Sequence, residues 1–143
     1  MKTKTPKKEE ISRDWYVVDA KDVRLGKLAT GVAERIIGKS KPTFSPNFDN
    51  GDHVIIINAE KVSVHPRKLV GKIYYSHSGH IGKLKKTSLK EMMSKKPEEV
   101  VRLAVKGMLP KNKLGSGMLP RLYVYTGENH PHEGQKPIKI EIQ

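Results

Sequence analysis

The chain has 143 residues, a length typical of one domain with its own hydrophobic core. It carries 28 Lys and Arg against 15 Asp and Glu, a net charge of +13, so we expect a large polyanionic partner. The lack of cysteine excludes disulfides, thiolate metal sites and a cysteine nucleophile, and no apolar run is long enough to span a membrane. No apolar segment follows the first lysines, so we expect no secretory signal and a cytoplasmic protein.

The first half of the chain predicts a strand, a helix and a second strand. Residues 15–18 are aromatic and β-branched, as in a strand. Seven apolar residues between positions 25 and 37 recur at three- and four-residue intervals, which predicts a helix that ends at Gly38. Residues 54–57 are continuously apolar, as in a strand that is covered on both faces. This order indicates a βαβ unit with parallel strands.

The second half predicts shorter elements. Ser88 and Glu91 match the capping box of a helix start. A further helix is predicted over residues 97–107, with two acids in its first turn and a glycine at its end. Residues 110–120 are rich in proline and glycine and predict a loop with room for one helical turn, and residues 122–125 predict a strand.

The two ends of the chain are expected to differ from its middle. Residues 1–13 are polar and rich in lysine, which predicts a basic N-terminal arm. Residues 14–143 are predicted to form a single α/β domain, whose last 17 residues are a mostly extended tail.

The positive charge is confined to two segments without acids. Residues 61–90, the first basic segment, hold eight basic residues, and residues 100–127, the second basic segment, hold five. Together these equal the net charge of +13, and the other 85 residues hold 15 basic and 15 acidic residues. A surface that only keeps a protein soluble would mix both signs. The two segments are therefore predicted to contact the polyanion.

Residues 74–86 combine two tyrosines, two histidines, two glycines and three lysines. Lysines neutralise phosphates, while Tyr and His can stack on an unpaired base or bond a ribose hydroxyl. Of Tyr74 and Tyr75 we expect one in the core and one outside, since neighbours on a strand face opposite ways. Lys outnumbers Arg 22 to 6, which favours phosphate contacts over base readout. The expected partner is a folded nucleic acid that is recognised by shape.

Signals for other functions are weaker. Residues 38–40 (Gly-Lys-Ser) resemble the end of a phosphate-binding loop, but position 33 is alanine and the tripeptide follows a helix. Two close histidine pairs lack the other ligands of a metal site: His77 with His80, and His130 with His132. We therefore predict no metal, no cofactor and no small-molecule substrate. A nucleotide-dependent enzyme is the main alternative, and a regulator that binds messenger RNA needs the same basic surface.

Several segments carry a family resemblance that extends from about Arg13 to Pro137. They are residues 14–20, 25–29, 51–52, 58–62, 74–82, 104–111, 114–115 and 124–127. Residues 106–111 (Lys-Gly-Met-Leu-Pro-Lys) are close to a family signature. On these segments the chain resembles the bacterial large-subunit ribosomal protein thirteen family.

The resemblance implies a small α/β domain with a four-stranded, mostly parallel sheet, helices on both faces and basic loop extensions. It implies binding to large-subunit ribosomal RNA, neighbouring large-subunit ribosomal proteins as partners, an early role in subunit assembly and no catalytic activity. Two positions depart from the family pattern, which usually has His where Asn47 stands and a basic residue at Ser116. The RNA contact around Ser116 is expected to be weaker or to shift to Lys113 and Arg121.

Charge, motif and resemblance together give a set of predicted RNA-binding residues. They are Lys39, Lys41, Arg67, Lys68, Lys72, Tyr75, His77, His80, Lys83, Lys85, Lys86, Lys106, Lys111, Lys113 and Arg121.

Overall fold

Six strands and five α-helices make up the computed structural model, which describes residues 7–142 apart from the side chain of Lys8. The helices are α1 (Leu25–Ile37), α2 (Pro66–Gly71), α3 (Leu89–Lys95), α4 (Pro97–Met108) and α5 (Lys113–Met118). The strands are β1 (Trp15–Asp19), β2 (His53–Ile57), β3 (Ile73–His77), β4 (Leu84–Ser88), β5 (Leu122–Val124) and β6 (Ile138–Ile140). Residues 1–6 of the predicted arm lie outside the described residues.

The central sheet has four strands in the order β5-β2-β1-β6, and all three neighbouring pairs are parallel. Strands β3 and β4 form a separate antiparallel hairpin. The α/β class and the four-stranded parallel sheet are therefore confirmed. The predicted tail supplies β6, which lies beside β1 at one edge of the sheet.

Helix α1 covers one face of the sheet and has the predicted bounds. Leu28, Val32 and Ile36 of its apolar stripe are fully buried and pack in one cluster with Val18 and Ile56 of the sheet. The helix ends at Gly38, which has a φ of 83° and whose N–H donates to the carbonyls of the last turn. A left-handed residue of this kind favours glycine because no Cβ clashes with the backbone.

The opposite face of the sheet carries a group of aromatic rings. Trp15 stacks on His53, with ring centroids 4.3 Å apart and planes 7° apart. The ring of His132 lies 5.3 Å from Trp15 and 4.6 Å from Tyr123, just before the short 3-10 helix Glu133–Gln135. Burial lowers the pKa of His53, which favours a neutral ring at pH 7. The tail is thus held against the sheet by ring contacts as well as by β6.

The predicted elements of the second half are largely confirmed. Ser88 Oγ accepts a hydrogen bond from the Glu91 N–H at 3.3 Å, as in a helix cap, and α4 begins at Pro97. Helix α5 lies where a loop with one turn was predicted. The prediction that one of the two neighbouring tyrosines is in the core is wrong, since Tyr74 is half-buried and Tyr75 is 62% exposed. The hairpin lies apart from the four-stranded sheet, so neither of its faces joins the core.

Candidate nucleic-acid interface

The first basic segment folds into α2, the β3–β4 hairpin and the start of α3. Helix α2 contacts α3 and β4, and α3 in turn contacts α4 of the second basic segment. The basic side chains of the first segment are all exposed: Lys61, Arg67, Lys68, Lys72, Lys83, Lys85, Lys86 and Lys90. Two segments that are separate in sequence are therefore joined through neighbouring helices.

The hairpin presents different side chains on its two faces. Tyr75 pairs with Lys86, and His77 pairs with Leu84, so these four residues share one face. The opposite face carries Tyr74, Ser76, Lys85 and Thr87. Between the strands, Gly79 and Gly82 have φ values of 88° and 76°, which a residue with a Cβ rarely adopts. These glycines allow the tight turn that brings His80 and Lys83 to the tip.

The tautomer of His77 follows from a local hydrogen bond. The backbone N–H of Gly79 donates to His77 Nδ1 at 2.9 Å. An accepting Nδ1 leaves the proton of a neutral ring on Nε2. The exposed Nε2–H of His77 can therefore donate to a phosphate or ribose oxygen.

The second basic segment places its cations on α4, on α5 and in the connection between them. Arg102 and Lys106 lie one turn apart on α4 and are both exposed, whereas Val101 and Val105 are buried. The four-residue spacing of Arg102 and Lys106 was the signal that could have added Arg102 to the predicted set. Lys111, Lys113 and Ser116 are also exposed.

Helix α5 is fixed at its start by Asn112. The Asn112 Oδ1 accepts a hydrogen bond from the Gly115 N–H at 2.8 Å, which caps the helix. The Ser116 Oγ donates to the Asn112 carbonyl at 3.2 Å. Lys113, in the first turn, therefore has a defined position beside Ser116, where the family usually has a basic residue.

Carboxylates pair with few of these cations. Among the residues that the structure describes, the basic side chains within 4.0 Å of a carboxylate are Arg13, Lys41, Lys95 and Arg121. Of these, Arg121 alone belongs to a basic segment. Among the described residues, the other cations of the two segments are exposed and have no carboxylate within 4.0 Å, so they produce a positive potential that attracts a polyanion.

Two of the predicted RNA-binding residues have partners inside the protein. Arg121 is 5% exposed, its guanidinium lies 2.5 Å from both carboxylate oxygens of Asp49, and Nη2 donates to the Ile36 carbonyl at 3.0 Å. Lys41 Nζ lies 2.5 Å from Asp52 Oδ1 and 2.7 Å from the Ser12 carbonyl. Because both side chains are engaged within the protein, we leave them out of the proposed interface, whereas the other thirteen predicted residues are exposed.

The loops after the central strands are tied to one another. Asn58 Nδ2 donates to Asp19 Oδ1 at 2.9 Å, and the N–H groups of Asn58 and Ala59 donate to the carbonyls of Gly127 and Tyr125. An open α/β sheet binds nucleotides in a crevice at this carboxyl edge. These contacts join the loops after β1, β2 and β5 at that edge of the sheet. They therefore do not favour the alternative hypothesis of a nucleotide-dependent enzyme.

The described part of the chain contains neither a metal-binding cluster nor a membrane-spanning helix. Within residues 7–142 we find no group of three or more histidines and carboxylates placed to hold a metal ion. No helix of these residues is long and apolar enough to cross a membrane.

Comparisons with known proteins point to one family. The family model described as ribosomal protein L13 matches residues 13–131. A large ribosomal subunit protein uL13 from Nitratidesulfovibrio vulgaris is 52% identical over 142 residues, which cover 99% of each chain. Proteins of the same name from Lachnospira eligens and Geobacter sp. are 56% and 51% identical, over 96% and 99% of this chain and 96% and 100% of theirs.

Proposed function

Because the chain belongs to the ribosomal protein L13 family, we propose that it binds large-subunit ribosomal RNA through its two basic segments and supports early assembly of the subunit. As a member of this family it is a structural constituent of the large ribosomal subunit and is not an enzyme. It is located in the cytoplasm as part of the ribosome and takes part in translation. Its partners are ribosomal RNA and ribosomal proteins.

The local excess of cations over carboxylates carries this proposal, since residues 61–90 and 100–127 hold 13 basic residues and no acid, whereas the rest of the chain holds 15 of each. Outside the two basic segments, Arg13, Lys41 and Lys95 each pair with a carboxylate. Inside them, Arg121 is the one cation that does so among the described residues. Unpaired cations on a protein surface repel each other until an anion approaches. RNA phosphates supply that anion, and neutralising them helps RNA helices to approach one another during assembly.

The proposed contacts are mainly electrostatic. Lys83, Lys85 and Lys86 of the hairpin would neutralise one stretch of backbone, and Lys106, Lys111 and Lys113 a second stretch. A lysine is a flexible point charge, so these contacts position the protein without reading sequence. Specificity would come from the arrangement of phosphates in a folded RNA, which is matched by the fixed arrangement of the hairpin and α4.

Salt dependence tests the proposal. Affinity for large-subunit ribosomal RNA is measured by filter binding over a series of KCl concentrations. The double variant Lys83→Ala/Lys85→Ala should reduce the slope of log K against log salt by about 1.4–1.8, since each neutralised phosphate contributes about 0.7–0.9.

A matched variant serves as the control. Lys95→Ala/Lys96→Ala also removes two lysines, but these lie between the two basic segments and Lys95 is paired with Glu91. This variant should leave the slope nearly unchanged. An affinity that does not depend on salt, or equal slope reductions in both variants, would contradict the proposal. Co-sedimentation of the protein with large subunits at high salt separates a ribosomal role from binding to messenger RNA.

A further inference from the structure

We infer that one face of the β3–β4 hairpin binds an unpaired nucleotide of the RNA, with its base stacked on Tyr75. This face, the stacking face, consists of Ile73, Tyr75, His77, Leu84 and Lys86. The inference rests on the proposed function, because it assigns a more specific contact to part of the same surface.

The stacking face holds apolar surface that the protein leaves open. Tyr75 is 62% exposed, Leu84 51% and Ile73 41%. Alternation along the paired strands places all three on the same side. Exposed apolar side chains that lie together commonly mark an interaction site. Partner atoms from outside the described chain would therefore be needed to bury them.

The two tyrosines of the hairpin differ in their surroundings. Tyr74, on the opposite face, is half-buried and has Lys72 Nζ 5.2 Å from its ring centroid. Within the described residues, no aromatic ring and no cation is placed against the ring of Tyr75. Only Tyr75 thus presents an open ring for stacking.

The charge around this ring favours a nucleotide over a protein surface. Lys86 is directly opposite Tyr75 in the strand register, at a distance where cross-strand side chains interact. No acid occurs anywhere in residues 61–90. A nucleotide offers a flat apolar base and an anionic phosphate in one unit, so a single ligand matches both the ring and the lysine.

The other residues of the stacking face complete the site. Lys86 would bind the phosphate of the stacked nucleotide. His77 lies two positions from Tyr75, about 6.8 Å along the strand, and its Nε2–H could donate to a neighbouring phosphate or a 2′-hydroxyl. Leu84, opposite His77, would cover an edge of the base. A base inside a helix cannot stack on Tyr75 in this way, because both its faces are already stacked on neighbouring pairs.

Two fluorescent RNA probes test the inference: single-stranded octaadenylate and a duplex of eight base pairs, compared by anisotropy at one salt concentration. Tyr75→Leu should weaken octaadenylate binding about fivefold or more, the lower end of what one base stacked on an aromatic ring contributes. Tyr75→Phe keeps the ring and should change the affinity less than about twofold. Tyr74→Leu removes the other tyrosine and should also have less than about a twofold effect.

The outcomes separate this inference from the proposed function. The stacking site would be overturned if wild type and Tyr75→Leu bound octaadenylate equally well or if neither bound it. The salt slope of the lysine variants would still support RNA binding in that case. Equal weakening on the duplex would also overturn it, because the contact would then not require an unpaired base. The salt slope of Tyr75→Leu should match that of wild type, since stacking releases no counterions.

Discussion

Lys83 and Arg121 are both cations of the two basic segments, but they have different surroundings. Lys83 is exposed at the hairpin tip, whereas Arg121 is buried beside Asp49 and the Ile36 carbonyl at the end of α1. Gly51 makes this arrangement possible, since a Cβ there would lie 1.6 Å from the Ile36 oxygen. Through these contacts Arg121 links the end of α1 and the loop before β2 to the start of β5.

Replacing the buried cation should reduce stability. We expect Arg121→Met to lower the free energy of unfolding by about 2–3 kcal/mol, because it leaves the Ile36 carbonyl without this donor and Asp49 with only the guanidinium of Arg13, 3.6 Å away. Lys113→Met changes an exposed cation of the same segment and should stay within about 0.5 kcal/mol of wild type. Urea unfolding followed by the fluorescence of Trp15, the single tryptophan, measures both. An Arg121→Met protein of normal stability but weakened RNA affinity would show that Arg121 is an RNA contact after all.

Sequence alone could not separate these cations. Asp49 lies 72 positions before Arg121, and Asp52 lies 11 positions after Lys41. Ion pairs between distant residues leave no periodic pattern, so neither pairing could be predicted, and Arg121 in addition lies in a segment without acids. The other exposed cations could be predicted because their segments contain no acid that could pair with them locally.

Helix α5 depends on a close approach between two backbone segments. A Cβ on Gly115 would lie 1.8 Å from the Pro110 carbonyl oxygen, so only glycine fits there. Gly117, in the same helix, has open space around its Cβ position. The two glycines thus form a matched pair for substitution by alanine.

The two glycine-to-alanine substitutions are expected to have opposite effects on stability. Gly115→Ala should destabilise the protein by about 1–3 kcal/mol, because either α5 or the Pro110 segment must move. Gly117→Ala should be neutral or should stabilise by up to about 1 kcal/mol, since alanine is the better helix former. Thermal unfolding followed by circular dichroism measures both changes. Equal effects of the two substitutions would show that the close approach at Gly115 does not hold α5 in place.

How far an element could be predicted depends on what buries it. Helix α1 was predicted with its bounds, because a buried helix needs a continuous apolar stripe and Gly38 marks its end. Strand β4 was missed, because residues 84–88 pair with β3 on an exposed hairpin and show no apolar alternation. Helix α2 was missed for the same reason, since it has no buried residue. Surface elements lack the apolar pattern that burial imposes, so the spacing of apolar residues does not reveal them.

At the scale of the whole molecule, the surplus charge lies on exposed side chains of elements that also supply part of the core. The four-stranded sheet, α1 and α4 bury the main core, while the net charge of +13 resides in two acid-free segments, one of which contains α4. Helices α3 and α4 bring these segments together. The rest of the chain holds equal numbers of acidic and basic residues, and the exposed hairpin and helices carry the surplus charge that the proposed RNA partner would neutralise.

Lysine reactivity toward an acetylating reagent, measured by mass spectrometry with and without large-subunit ribosomal RNA, tests the central claim most directly. The account predicts that RNA protects Lys83, Lys85, Lys106 and Lys111. Lys27 on α1 and Lys95, whose side chain is 69% exposed, should remain as reactive as in the free protein. Equal protection of all these lysines, or protection of Lys27 and Lys95 alone, would contradict an RNA interface built from the two basic segments.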